Sequence, residues 1–547
     1  MNFLYALILL SLVMGCRPTP AERPPVITPL AVATGQAEIA VAITPTPSAT
    51  STSSAEVVLP TPMPTATAAA THTPTPTATP LPVARLVVPS AWETAVAPLL
   101  NDAPSGWQWQ LLIDSDPLAL FTSEQADLVL AIETADFPFT GYPHALAYQE
   151  PIALTVPFLN EWTDINQQQA QEILDNGQAI VEIMPWADMR ANRKALRVDG
   201  HTPADPDYPL QQNWYLVGQV GYETAVAALL PHLQTALSPA PVIHLAATGD
   251  IMLDRSMGHH LRQGKLDYPF YEVVHWFHAA DLTIGNLESA LGDIGEPEPK
   301  AYPFRAPPEA AEALARAGFD IVSLANNHGM DYGPEALLQG IELLHEAGVV
   351  PIGAGVDETA AYAPHLAEVN GLSLAVFGYL NVPVEWRGFD TESWTATSDA
   401  PGLAWATVER VQADINAVRA AVDLVIVILH SGYEYLEPPS PIQMDLSRAA
   451  VDAGADLVIG HHAHILQGIE FYGDGVIVYG LGNFVFEIDG APETAVLYAW
   501  LDADGVREIE LLPAVIQFGG QPRPAASWEA GPILQHVYRL SRAFGGQ

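Results

Sequence analysis

The chain has 547 residues, with 21 Lys and Arg against 63 Asp and Glu, and a formal net charge of −42. That length exceeds one hydrophobic core and implies two or more domains, and that charge argues against nucleic acid or an anionic membrane surface as a direct partner. A single cysteine, Cys16, excludes an intramolecular disulfide; an anionic substrate would need bound cations or a local arginine to reverse the field.

Phe3 to Met14 is an apolar stretch too short to span a bilayer, and it runs into Val13-Met14-Gly15-Cys16. That ending resembles the lipobox of bacterial lipoproteins, in which cleavage before the cysteine leaves a lipid-modified N-terminus. Met1-Asn2 departs from the pattern in carrying no Lys or Arg. Residues 1–16 are therefore expected to be a lipoprotein-type signal with Cys16 as the lipidation site, which places the protein outside the cytoplasm, anchored to the cell membrane. Residues 17–82 are dominated by Pro, Thr, Ala and Ser, as in Thr44-Pro45-Thr46-Pro47. Such a segment cannot bury enough apolar surface to fold and is expected to be a disordered tether. At about 3.1 Å per extended residue its reach is on the order of 100 Å or more.

Residues 83–238 read as a small α/β domain. Arg85-Leu86-Val87-Val88 and Ala126 to Ile132 are buried-strand patterns, Ile165 to Leu174 is a helix pattern, and Tyr222 to Leu237 is a closing helix. The order Glu150 to Phe158, followed by Asp164 opening a helix, is similar to a lobe of the periplasmic substrate-binding proteins. No metal or nucleophile constellation stands out in it.

After a hinge at Ser238-Pro239-Ala240-Pro241, residues 241–517 repeat one design. Apolar runs stop abruptly on polar residues: Val242 to Gly249 on Asp250; Asp281 to Gly285 on Asn286 and Glu288; Asp320 to Ala325 on Asn326, Asn327 and His328; Asp423 to Leu429 on His430 and then Glu434; Asp456 to Gly460 on His461, His462 and His464. Helix patterns lie between them, at Pro308 to Ala317, Pro334 to Ala347, Trp405 to Ala421 and Pro441 to Ala453. This alternation is the signature of a layered α/β fold. In open α/β sheets ligands bind outside the carboxyl ends of the strands, so residues at several ends can meet in one crevice. A lone histidine at such an end is more often a satisfied structural residue. Five ends agreeing point to one site, and imidazole is the side chain best suited to hold Zn, Fe, Mn or Ni. A hairpin over Ala495 to Trp500 and Arg507 to Pro513 should close one sheet, and residues 518–547 read as a tail with one short helix from Gln521 onward.

Taken together, Gly249-Asp250, Gly285-Asn286-Leu287-Glu288, Ala325-Asn326-Asn327-His328, His430-Ser431-Gly432-Tyr433-Glu434, Gly460-His461-His462-Ala463-His464 and Gly480-Leu481-Gly482-Asn483 resemble the CapA family, the poly-γ-glutamate capsule synthesis proteins. That family is a branch of the calcineurin-like metallophosphatases. The resemblance implies a four-layer α/β/β/α sandwich with one or two divalent ions, Mn, Fe or Zn, between the sheets. It implies that Asp250, Asn327, His430, His462 and His464 are metal ligands, and that Glu288 or Asn286 stands at the bridging carboxylate position. His328 would be the general acid toward a leaving oxygen or would steady charge on a phosphoryl group. Paired ions suit phosphoester hydrolysis because they neutralise charge on an in-line transition state.

Two positions depart from the wider superfamily: Met252 stands where its Asp-x-His motif has histidine, and Asn286 where its Gly-Asp motif has aspartate. Both substitutions bear on catalysis rather than on membership. Arg305, in Tyr302-Pro303-Phe304-Arg305, is the candidate fork for phosphate or carboxylate, against the alternative of a surface pair with Glu. Glu434 and Tyr435 either position substrate or orient His430, and Asn286, Asn326 and Asn483 complete the candidate substrate-contacting set. Asp331 is expected to cap the helix opening at Gly333-Pro334. His244, His259, His260, His275, His278 and His345 lack convergent context.

Two functions follow. One is an exported metal-dependent phosphoester hydrolase acting on an anionic surface polymer of the poly-γ-glutamate type or its phosphorylated precursor. The other is a non-catalytic assembly or export factor that binds the polymer or membrane synthase subunits.

Overall fold

Period-two alternation sorts the strand Ile243–Ile251 between two environments: Ile243, Leu245 and Ala247 pack on one face and Ala246 on the other. The same split recurs in Leu424–Ser431, where Ile426 and Ile428 join Leu245 in one apolar cluster while Val425, Val427 and Leu429 join another. These assignments come from a computed structural model that describes residues 28–29 (backbone only), 81–101, 104–382, 385, 388–487 and 490–545. The Cys16 lipobox and all of the expected tether except residues 28–29 and 81–82 lie outside the described residues. Thr28–Pro29 pair with Glu368 and Ala367 at a sheet edge.

Residues 83–238 build a seven-stranded mixed sheet. Val83–Val88 pairs in parallel with Gln108–Ile113 and Leu128–Ile132, and Gln211–Gly218 and His144–Pro157 add antiparallel neighbours. The helix Glu223–Ala236 covers it through Ala225, Val226, Leu229 and Leu233. The expected helix near 165–174 forms at Gln167–Asn176, started by an Asn166–Gln169 capping box.

The C-terminal region builds two larger sheets. The eight-stranded one runs Val350–Ile352, Ile321–Ser323, Leu282–Leu287, Ile243–Ile251, Glu493–Asp502, Gly505–Ile516 and Pro522–Pro524, with Asn483–Val485 pairing Ile243–Ile251. In the seven-stranded sheet, Leu372–Asn381, Leu424–Ser431, Leu457–His461 and Gly475–Val478 are successive parallel strands. One apolar cluster draws on both sheets, including Leu245 and Ile284 from the first and Val376, Ile426 and Ile459 from the second. The other face of the first sheet takes the helices Glu309–Ala317 and Gly333–Ala347, and that of the second takes Val408–Val418 and Pro441–Asp452.

The expected hairpin spans Glu493–Asp502 and Gly505–Ile516. The segment after it is more structured than one short helix. Pro522–Pro524 adds a strand, and Ser527–Ser541 is a 15-residue helix that buries Ile533, Val537 and Tyr538 on the cluster between the sheets. Among the described residues no helix is long and apolar enough to cross a membrane.

Candidate metal centre

Parallel pairing in register carries the chemistry to one place. Asp250 lies opposite Asn286 in one sheet, and His430 lies opposite His461 in the other. Both pairs occupy strand ends, where the two sheets bring them together. Glycines permit the close approach: a Cβ on Gly249 would stand 2.0 Å from the Gly482 carbonyl oxygen, and one on Gly460 2.2 Å from that of Tyr479. Past the strand Leu457–His461 the backbone turns through left-handed conformations at His462 (φ 85°) and His464 (φ 56°). Non-glycine residues hold that region at a cost of about 1–3 kcal/mol each, a strain common at functional sites.

Two sets of three side chains converge. Glu288, His430 and His462 form one and Asp250, Glu288 and His464 the other, with the ligand atoms of each set within 4.8 Å of one another. Glu288 belongs to both. His430 Nε2 and His464 Nε2 each lie 3.7 Å from Glu288 Oε1, and His464 Nδ1 lies 3.3 Å from Asp250 Oδ2. Asn327 joins through its Oδ1, 2.7 Å from His430 Nε2.

Burial sets the electrostatics. Burial alone would raise Asp250, but hydrogen bonds and charge from His461 and His464 hold it well below the usual carboxylate range. Burial and the Asp250 charge push Glu288 well above that range. Burial would lower His464, yet Glu288 and Asp250 hold it up to about 10, whereas burial and the neighbouring His464 push His462 down to about 3. Burial likewise lowers His430.

Among the described residues, both oxygens of the fully buried Glu288 lack hydrogen-bond partners, as does Nδ1 of His462. Unpartnered buried polar atoms are rare, and a cation between Glu288 and the imidazoles would satisfy these. The mixed nitrogen and oxygen donor set suits Zn, Mn or Fe. The residues fit a divalent ion.

A second layer orients the donors. Asn286 Nδ2 donates to Asp250 Oδ1 at 2.9 Å, and its Oδ1 accepts from Asn326 Nδ2 at 3.0 Å. Asn483 Oδ1 lies 2.9 Å from His464 Nδ1, and His461 Nδ1 lies 2.9 Å from Asp250 Oδ1. Asn286, Asn326 and Asn483 are thus buried supports of the cluster rather than wall residues of the cavity. His461 had been legible only as one member of the His461-His462-Ala463-His464 run.

From the cluster a cavity of about 810 Å³ opens to the surface, lined among others by Asn327, His328, Glu434, Tyr435 and His464. His328 Nδ1 lies 2.6 Å from Asp331 Oδ2, and the ring stacks on Phe304 at 4.3 Å. Burial lowers His328 against the opposing pull of Asp331. The carboxylate can only accept, so the Nδ1 proton faces it and Nε2 is left for the cavity. Arg305 sits elsewhere, its guanidinium 4.2 Å over the Tyr332 ring, and among the described residues the arginine lining the cavity is Arg255. Asp331 does not cap the helix Gly333–Ala347, whose start carries no side-chain cap. Its carboxylate is taken by His328, by the Phe304 backbone N–H at 2.6 Å and by the Lys300 ammonium at 2.6 Å, and charge-assisted bonds outcompete a cap. Met252 is fully buried with Phe304 and Phe486.

The model of the bacterial capsule synthesis protein family PGA_cap matches residues 244–488. The capsule biosynthesis protein CapA of Bacillus anthracis is 31% identical over 308 residues, which span 54% of this chain and 74% of that protein. The chain belongs to the CapA family. The PGA biosynthesis protein CapA of Bacillus subtilis is 31% identical over 277 residues, 50% of this chain and 71% of that one. A probable polyglutamine synthesis accessory protein of Mycobacterium tuberculosis is 32% identical over 288 residues, 49% and 74% of the two chains. Among solved structures, a hypothetical protein from Thermus thermophilus covers 50% of this chain and 98% of its own at 14% identity and a TM-score of 0.34. The matched span of this CapA-family chain holds every residue of the two converging sets.

Proposed function

We propose that the protein is a metal-dependent phosphoester hydrolase that acts outside the cytoplasm, tethered through Cys16, in making or processing an anionic surface polymer of the poly-γ-glutamate type or its phosphorylated precursor. The observation that carries the reading is Glu288, fully buried, with neither oxygen hydrogen-bonded among the described residues, and shared by two sets of potential ligands. Bound there, divalent ions would neutralise phosphoryl charge and lower the pKa of an attacking water. Asp250, Glu288, Asn327, His430, His462 and His464 would hold them. His328, anchored by Asp331, presents Nε2 to the cavity to move a proton at the reacting oxygens. The α/β/β/α layering of a metallophosphatase agrees with two sheets sharing one apolar cluster and carrying helices on their other faces. The names of the B. anthracis and B. subtilis relatives support the polymer pathway.

The test is elemental analysis of the purified chain beside Glu288→Gln, with turnover of a generic phosphodiester and phosphomonoester followed before and after chelation. Bound metal lost in the variant, with chelator-sensitive turnover, is the expected result. Folded protein that binds no metal and turns over neither ester overturns the hydrolase and leaves the assembly factor, for which buried Met252 and Asn286 at two usual ligand positions speak.

A further inference from the structure

Lys300 touches the centre's own Asn327, yet its side chain is wholly buried and all three of its N–H bonds are taken. It donates to the Asn327 carbonyl oxygen, to Asp331 Oδ1 at 2.6 Å and to Glu385 Oε1 at 2.8 Å. The ammonium also lies 5.0 Å from the Trp394 ring centroid and 5.6 Å from that of Phe389. No donor remains for a substrate phosphate. Glu385, held by this lysine, accepts from Asn327 Nδ2 at 2.9 Å. A carboxamide is nearly symmetric in shape, so what decides which end faces the centre is the partner of the other end. Because Glu385 can only accept, it claims the NH₂ group and turns Oδ1 toward His430, 2.7 Å from Nε2.

From this geometry we infer that Lys300 and Glu385 are positioning residues: Lys300 holds Glu385, and Glu385 sets the Asn327 carboxamide with its oxygen toward the metal centre. Through Asp331 the same ammonium steadies His328, so one buried lysine braces both the amide ligand and the proton-transfer histidine. The inference rests on the metal reading above.

The test uses the full chain stripped of metal with a chelator and titrated with Mn²⁺ by calorimetry. Loss of a partner that orients a ligand typically costs about 10- to 100-fold in metal affinity. Glu385→Ala should therefore weaken Mn²⁺ binding by at least about tenfold. Glu385→Gln, whose carbonyl can still accept from both Lys300 and Asn327, should stay close to wild type. In an Asn327→Ala background Glu385→Ala should have no further effect, since the group it orients is gone. Lys300→Met should match Glu385→Ala; should it fail to fold, the Glu385 variants decide the matter alone. Unchanged affinity in Glu385→Ala, an equal loss in Glu385→Gln, or a loss that persists without Asn327 would each overturn the inference while leaving the metal centre standing. A wild-type chain that binds no Mn²⁺ would overturn both.

Discussion

His328 Nδ1 and Asp331 Oδ2 lie 2.6 Å apart inside the fold, in a turn that places them three residues apart in sequence. Asp331→Asn would offer an amide that can present its own N–H to Nδ1, so the ring would lose its tautomer while keeping its place. General acid–base catalysis of this kind contributes about 10²–10⁴-fold. Asp331→Asn should reduce turnover of an alkyl phosphodiester within that range at unchanged metal content, with a smaller loss on a nitrophenyl ester, whose leaving group needs no proton. Equal losses on both esters would remove His328 from proton transfer.

The left-handed backbone at His462 separates side-chain from main-chain effects. Ordinarily glycine is less stable than alanine, but at φ 85° the order should invert. In the metal-free state His462→Gly should be more stable than His462→Ala by about 1 kcal/mol, within the usual cost of such conformations. Both should lose part of the metal. Denaturant midpoints of the two variants measure the difference, and alanine equal to or above glycine would mean no strain is stored there.

Glu288 is common to both ligand sets, and its replacement should be the most damaging to metal content. With about two equivalents in the wild type, as a two-ion centre requires, Glu288→Gln should fall close to none, whereas His462→Ala, which touches one set, should keep part. Elemental analysis of the two variants side by side decides it.

The seam between residues 83–238 and the C-terminal sheets carries a pH dependence. Glu508, buried, accepts from Trp186 Nε1 at 3.0 Å and from the Ala195 backbone N–H at 2.8 Å. Burial pushes its carboxyl up from the ordinary 4.5 to about 7. The folded state therefore holds this proton more tightly than the unfolded one. The contribution is fully present below pH 4.5 and is lost as pH rises through about 7. At about 1.4 kcal/mol per pH unit the loss is about 3 kcal/mol. Relative to wild type, Glu508→Gln should gain stability between pH 5 and pH 8 by about that amount. A difference between the two proteins that does not change with pH would refute the assignment.

The strand ends were legible in the sequence because an apolar β-branched run that stops on Asp250, Glu288, Asn327, His430 or His464 is a local pattern, the apolar packing giving way to polar groups where the strand leaves the sheet even though those groups are buried too. The helices between them were legible for the same reason, since a 3.6-residue apolar period is written locally. The final segment was underread: Pro522–Pro524 is too short to show a strand pattern, and its place depends on an edge offered by Gly505–Ile516.

What only the tertiary structure decided is which groups meet. Sequence alone had left Arg305 between a fork for phosphate or carboxylate and a surface pair with Glu, and had put a helix cap on Asp331; folding stacked the arginine on Tyr332 and gave Asp331 to His328 and Lys300. Lys300 and Glu385 lie in segments with no periodic pattern, and they reach Asn327 across separations of 27 and 58 residues. A hydrogen-bond partner that distant leaves no mark on neighbouring residues. The sequence determined the polar residue types and the strand ends on which they sit, because the apolar runs that lead to them are local patterns; their partners follow from packing between strands remote in the chain.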